Sequence, residues 1–187
     1  MTALPSLARL KNPTPATAMK SHKPFTMQIV TQNDASDILE LYRHCEDFLA
    51  LSSEPKASIE LVLKDLEHSR RDGGVFYGIY DTNGQMIGIV DFVSEGFEGQ
   101  AHVAFISLLM IAFPHRRHGI GTEIVRLIEK EILTHSQVTE IRSGVQVNNP
   151  QALQFWQRNG YQIVGGPELM PDQTTVYHLL KESGKIE

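Results

Sequence analysis

The stretch Leu108–Ile132, LLMIAFPHRRHGIGTEIVRLIEKEI, decides how the rest of the chain is read. An apolar run stops at Phe113-Pro114. His115, Arg116, Arg117 and His118 follow, and Gly119-Ile120-Gly121 then leads into a segment with Ile124, Val125, Ile128 and Ile132 at helical spacing. The run before the loop, AHVAFISLLMIAF (101–113), is apolar at nearly every position, as suits a central strand covered on both faces. A helix start leaves backbone N–H groups without partners and carries partial positive charge. Glycines at 119 and 121 let a ligand approach that backbone closely. The two arginines add permanent charge, and the two histidines add charge that depends on pH. Together these features suit a phosphate or diphosphate. The plain alternative is a strand-to-helix connection that happens to contain glycine.

Two common phosphate-binding patterns do not fit. The spacing G-x-x-x-x-G-K-[ST] is absent, and the third glycine of a dinucleotide fingerprint would fall on Ile124. Upstream, VFYGIYDTNGQMIGIVDFV (75–93) reads as two strands joined through Asp81-Thr82-Asn83-Gly84, an antiparallel hairpin that argues against a Rossmann sheet.

Working outward, FTMQIVT (25–31) alternates as a first strand. DASDILELYRHCEDFLAL (34–51) carries Ile38, Leu41, Tyr42, Cys45, Phe48 and Leu49 at helical spacing, with Asn33 or Asp34 as cap. ASIELVLKDLEHSRR (57–71) is a second amphipathic helix ended by Gly73-Gly74. A loop is expected over 94–100 and a helix over 122–135. EIRSGVQVN (140–148) follows as a strand. A short helix comes next, with Pro150 in its first turn and Gly160 closing it. YQIVG (161–165) and TTVYHLLK (174–181) read as two last strands around a Gly-Gly-Pro turn. The fold class is therefore α/β: a mixed, mostly antiparallel sheet of about seven strands flanked by about four helices. Its one parallel unit is expected over 101–147.

The 187 residues, 41% of them hydrophobic, can fill one core and one domain. No run approaches the roughly 18 apolar residues of a membrane span. The lone Cys45 excludes an internal disulfide and a zinc cluster, so a reducing, cytoplasmic setting without metal is expected. Residues 1–24 hold Arg9, Lys11, Lys20 and Lys23 and no acid, which leaves 13 basic against 22 acidic residues in the remainder, a net of −9. So acidic a body is a poor binder of nucleic acid, which is not expected as a partner, and suits a basic acceptor better. The tail itself, rich in Pro, Thr and Ala, reads as a flexible extension ahead of a domain spanning 25–187. The other reading of this acid-free tail is an organelle transit peptide.

Arg116-Arg117-His118-Gly119-Ile120-Gly121 resembles the R/Q-x-x-G-x-G/A loop of the GCN5-related N-acetyltransferases, the GNAT family. NNPQALQFWQRNGY (148–161) resembles that family's second signature, N-x-x-A-x-x-F-Y-x-x-x-G-F, with Asn149, Ala152, Phe155 and Gly160 in register. The order of elements from about residue 25 to 183 is also similar. The resemblance implies the GNAT (acyl-CoA N-acyltransferase) fold and acetyl-CoA as acyl donor. It also implies transfer of the acetyl group to a primary amine of a small molecule or peptide by direct attack in a ternary complex. The backbone of Arg116, Arg117, His118, Gly119, Ile120 and Gly121, with Thr122 opening the helix, would hold the pyrophosphate. Met110, Ile111 and Phe113 would supply backbone groups for the pantetheine arm along an open strand edge, a ligand replacing a neighbour strand. Asn149 would bond to the same arm, or cap the helix ahead of Pro150. Homodimers are common in the family.

The pattern breaks where acid–base chemistry would sit. The family's usual Tyr is Trp156, whose indole N–H is a donor without useful acidity, so packing is its expected role. Tyr161 is expected in the core and is the outside candidate for the missing acid. The central strand has no carboxylate. Asp91, Glu95 and His102 lie near strand ends, where solvated or capping roles are expected. Cys45 is expected as buried packing, and Glu46 and Asp47 as solvent-facing acids. No catalytic residue is assigned, and the acceptor pocket falls to loops at 49–57, 94–100 and 165–173. The vacant acid position keeps a second class open, a non-catalytic acyl-CoA-binding module. A third is a nucleotide-binding protein that uses the loop for ATP.

Overall fold

The computed structural model describes residues 19–20 and 24–185. Its strands are β1 (Met19–Lys20), β2 (Phe25–Ile29), β3 (Val75–Asp81), β4 (Met86–Val93), β5 (Val103–Ile111), β6 (Glu140–Gln146), β7 (Gln162–Leu169) and β8 (Thr175–Glu182). Its helices are α1 (Ala35–Arg43), α2 (Glu46–Leu49), α3 (Ile59–Arg71), α4 (Ile120–Ile132) and α5 (Pro150–Arg158). All strands join one sheet in the order β1-β2-β3-β4-β5-β6-β8-β7, antiparallel except for β5 with β6. The seven expected strands are present, and β1 is added at the edge, inside the stretch read as a free extension. The remainder of that stretch, 1–18 and 21–23, lies outside the described residues.

One face of the sheet buries Ile124, Val125, Ile128 and Ile132 of α4 with Trp156 of α5. The other buries Ile38, Leu41 and Tyr42 of α1 with Val62 and Leu66 of α3. Cys45 is fully buried in that second layer, as its place on the apolar stripe required. The expected helix over 34–51 is two helices. It breaks at His44-Cys45, where Cys45 leaves helical geometry, and the turn brings α2 beside the glycine loop.

The Asp81–Gly84 hairpin forms, with Asp81 Oδ1 accepting from the N–H groups of Asn83 and Gln85 at 2.9 Å each. The Gly-Gly-Pro turn does not. Gly165-Gly166-Pro167 lies inside β7 as a double irregularity in its register with β8, and the reversal comes at Met170–Thr174. Glycines absorb the extra residues: Gly166 has φ 89°, and a Cβ there would lie 2.5 Å from the Val176 carbonyl oxygen. Gly166→Ala is therefore expected to cost about 1–2 kcal/mol for the left-handed backbone alone, more with the clash, as read by urea unfolding.

β5 and β6 pair only from Val103–Glu140 to Ile106–Ser143. Beyond that point β5 runs on to Ile111 bonded to β4, and β6 runs on to Gln146 bonded to β8. The two strands part, and the sheet has a wedge-shaped gap at its centre.

Candidate functional site

Backbone alternation determines what faces the gap. The Ala112 N–H donates to the Ile87 carbonyl at 2.9 Å, so Ala112 and, two residues back, Met110 turn their backbone groups to β4. Leu109 and Ile111 turn theirs to the gap. Of the expected backbone set, Met110 thus belongs to the β4 ladder and Ile111 faces the gap, as does Leu109, which lay outside that set. Phe113 lies past the strand, 71% exposed, with its N–H directed at the His44 carbonyl at 3.5 Å.

At the mouth of the gap the loop is shaped by two left-handed residues, Arg117 (φ 63°) and Gly119 (φ 74°). Gly119 is the N-cap of α4 and brings no side-chain cap. The first α-helical bond there runs from the Glu123 N–H to the Gly119 carbonyl. The N–H groups of Ile120, Gly121 and Thr122 precede it and have no intrahelical acceptor. At Gly121 a Cβ would lie 3.1 Å from the Phe155 ring, so a side chain would press into the wall formed by α5.

A cavity of ≈ 1050 Å³ opens at this point. Of the expected binding residues, Met110, Ile111, Arg116, Arg117, Gly119, Gly121, Thr122 and Asn149 line it, while Phe113, His118 and Ile120 do not. Asn149 caps α5, its Oδ1 accepting from the Ala152 N–H at 3.0 Å, and stands on the cavity wall as well. Arg158 and Asn148 were missed as lining residues. Arg158 carries the only available signal, a cation one turn beyond Gln154 on the polar face of α5.

Arg116 is not a free phosphate ligand. Its Nε donates to the Ile111 carbonyl at 2.7 Å, and its two terminal nitrogens meet Asp47 at 2.5 and 2.9 Å. The hydrogen bond from Arg116 holds the Asp47 carboxyl below the usual range. Asp47 and Glu46 face solvent as expected; Asp47 nonetheless ties α2 to the loop, and Glu46 accepts from the Ala57 N–H at 3.3 Å. Arg117 and Arg158 have no carboxylate partner among the described residues, so the cavity is net positive.

The acid–base candidates separate clearly. Trp156 is buried, edge-on to both Phe155 and Tyr161, and off the cavity wall. Tyr161 is 1% exposed, and burial, with the Glu129 carboxylate beside its hydroxyl, raises its pKa far above the usual phenol value. It cannot act as the acid at the gap. Glu95 is held by Gln137 and His135, and the His102 carbonyl accepts from Thr139 and Glu140.

Asp91 departs from expectation. It is 6% exposed, and its carboxylate accepts from the hydroxyls of Ser69 at 2.5 Å and of Ser107. Burial raises its pKa against the lowering effect of both serines. It sits on a second cavity of ≈ 250 Å³ with Asp65 and His68 of α3 and Asp72 just past its end. A carboxylate inside the apolar run IGIVDFV was the signal that could have found it.

A family model for an acetyltransferase (GNAT) domain matches residues 27–168. No curated protein matches the chain by sequence. Among solved structures, an acetyltransferase from Thermus thermophilus is similar over 87% of this chain and 99% of its own, at 22% identity and TM-score 0.70. The spermidine N-acetyltransferase of Vibrio cholerae in complex with CoA and spermine is similar over 87% and 98%, at 17% identity and TM-score 0.66. AAC(6')-Ib in complex with ribostamycin and coenzyme A is similar over 87% and 95%, at 18% identity and TM-score 0.69. These likenesses show a shared fold.

Proposed function

Since the chain belongs to the GNAT acetyltransferase family, we propose that it transfers the acetyl group of acetyl-CoA to a primary amine of a small molecule or peptide. The attack is direct, within a ternary complex. The observation that carries this reading is the net-positive cavity at the mouth of the sheet gap, with three helix N–H groups that have no intrahelical acceptor. The N–H groups of Ile120, Gly121 and Thr122, with Arg117 and Arg158, suit the diphosphate. The gap-facing backbone of Leu109 and Ile111 suits the amides of the arm. Because Arg116 already fills the Ile111 carbonyl, the Ile111 N–H and both groups of Leu109 remain for the ligand.

Acetyl transfer from a thioester needs a neutral amine held against the carbonyl carbon. Fixing two reactants in line supplies up to about 7–11 kcal/mol in ideal cases, and a positioned acid or base typically adds roughly 10²–10⁴-fold. The catalytic unit is residues 25–187. No helix among the described residues is long and apolar enough to cross a membrane, and a cytoplasmic homodimer belongs to the same proposal.

Calorimetry tests it first. Acetyl-CoA is expected to give a saturable binding heat that CoA competes away and ATP does not. Release of CoA thiol is then expected with at least one amine from a panel of spermidine, ribostamycin and peptides with free N-termini. Absence of binding heat overturns the reading. Binding without thiol release on that panel favours the non-catalytic acyl-CoA-binding module, which the burial of both Trp156 and Tyr161 keeps in contention.

A further inference from the structure

β5 borders two hollows in succession. Leu109, Met110 and Ile111 line the larger one, while Phe105, Ser107 and Leu108 line the smaller. The border between them is the point where the sheet closes. Pairing with β6 ends at Ile106, so Ser107 is the first residue of β5 on the open side of the wedge. A chain laid along β5 from Ile111 covers four residues, about 13 Å, before it meets that closure. The reactive end of such a chain therefore stops beside Ser107.

Ser107 is also where β5 is irregular. Asp91 lies opposite Leu108 and Phe92 opposite Ile106, so Ser107 is the extra residue of a bulge. Bulges re-aim side chains, and many stand beside active sites. Here the Ser107 hydroxyl donates to the Asp91 carboxylate, and to the Asp91 carbonyl at 3.1 Å, while the residue itself is exposed. The other Asp91 oxygen is held by Ser69. That pair is boxed in by Gly74, where a Cβ would lie 2.8 Å from the Ser69 hydroxyl and 3.0 Å from Asp91 Oδ1. The buried carboxylate and the exposed hydroxyl bonded to it thus share one hollow, the smaller cavity at the closed end of the wedge.

We propose that Ser107 and Asp91 form the proton relay for the attacking amine, with the smaller cavity as the acceptor's seat. This rests on the acetyl-CoA reading above. The bound cationic amine first loses one proton to water; as its neutral nitrogen then bonds to the acetyl carbon and the carbon–sulfur bond breaks, the nitrogen gives a second proton to the Ser107 oxygen. Ser107 passes its own proton to Asp91, which later releases it to water. The departing thiolate takes a proton from solvent, so the products are the amide and free CoA thiol. Ser107 is the catalytic residue in this scheme, and Asp91 acts through it. The charged and titratable groups facing Asp91 are Asp65 and His68 from α3, Asp72 just past its end, and Tyr42 from α1. Tyr42 is bonded to Asp65 at 2.7 Å. With Phe76, Phe97 and Phe105 completing the wall, the seat suits a compact cationic amine rather than an acidic peptide.

The test uses the full chain and whichever amine of the panel gives the fastest thiol release. Asp91→Asn keeps shape and hydrogen-bonding capacity. It is expected to lower kcat by roughly 10²–10⁴-fold and to remove the rise of kcat with pH that ionisation of a base produces. The dissociation constant for acetyl-CoA is expected to stay unchanged. Ser107→Ala is expected to lower kcat similarly, with partial recovery in Ser107→Thr. Asp91→Asn with wild-type kcat and pH profile overturns the relay while leaving the acetyltransferase reading intact. If Asp91→Asn does not fold, Ser107→Ala, at an exposed position, decides alone: undiminished kcat overturns the proposal. Absence of thiol release by the wild-type chain with bound acetyl-CoA overturns the acceptor reading, and the relay with it.

Discussion

Gly119→Val is expected to weaken acetyl-CoA binding by at least about 100-fold, roughly 2.8 kcal/mol at about 1.4 kcal/mol per factor of ten. Gly119 sits at the point where the loop backbone turns its N–H groups outward, with φ 74° and no side chain over the first turn of α4. A branched side chain there stands where the diphosphate approaches, and the close approach that glycine allows is lost. The same change has a second cost. Left-handed backbone is unfavourable by about 1–2 kcal/mol for a residue with a Cβ, and a branched one suffers most. Gly119→Ala separates the two, because it carries the backbone cost with little bulk. The chain already holds Arg117 at φ 63° in the same loop, so the fold tolerates a side chain in that conformation. Calorimetry on folded protein reads the affinity, and thermal unfolding reads the backbone term. An unchanged dissociation constant in folded Gly119→Val would remove the anion-binding role of the loop.

The second large effect lies away from the site. Lys181→Met is expected to destabilise the chain by about 3–5 kcal/mol, because it strands a buried charge. Glu129 on α4 is 4% exposed, and both of its carboxylate oxygens accept from Lys181 Nζ at 2.9 Å. The ammonium also lies 5.7 Å from the centre of the Tyr161 ring. Removing the lysine leaves the carboxylate in an apolar layer with no cation to offset its desolvation. At about 2–4 °C per kcal/mol for a chain of this size, the melting temperature should fall by about 6–20 °C. Glu129→Leu combined with Lys181→Met should recover most of that loss, since a buried pair replaced by apolar side chains of similar volume is often neutral. A single-variant loss below about 1 kcal/mol would show that the pair is well hydrated and energetically idle. The double-variant cycle reads the coupling directly.

Much of the architecture was legible in local signals. Hairpin chemistry at Asp81–Gly84, helical spacing in 122–135, the Asn149-Pro150 start of α5 and the uninterrupted apolar run of β5 each name one element. Their order admits few topologies. The glycine loop and the α5 start also marked where the larger cavity opens. Patterns of this kind are local: periodicity and capping depend on residues three or four positions apart.

What the sequence determined by itself was therefore the succession of elements and the place of the loop. The tertiary structure alone decided which groups do what there. Arg116 meets Asp47 across 69 positions, so a cation that reads as a phosphate ligand is a strut between α2 and the loop. Leu109 rather than Met110 faces the gap because the register with β4, invisible in the run of apolar letters, orients every second peptide. Asp91 reads as a solvated strand-end acid and is buried, because a bulge on the neighbouring strand brings Ser107 over it and α3 covers it with Ser69. Edge direction, burial and partnership are set by strands and helices far apart in the chain, and no local spacing records them.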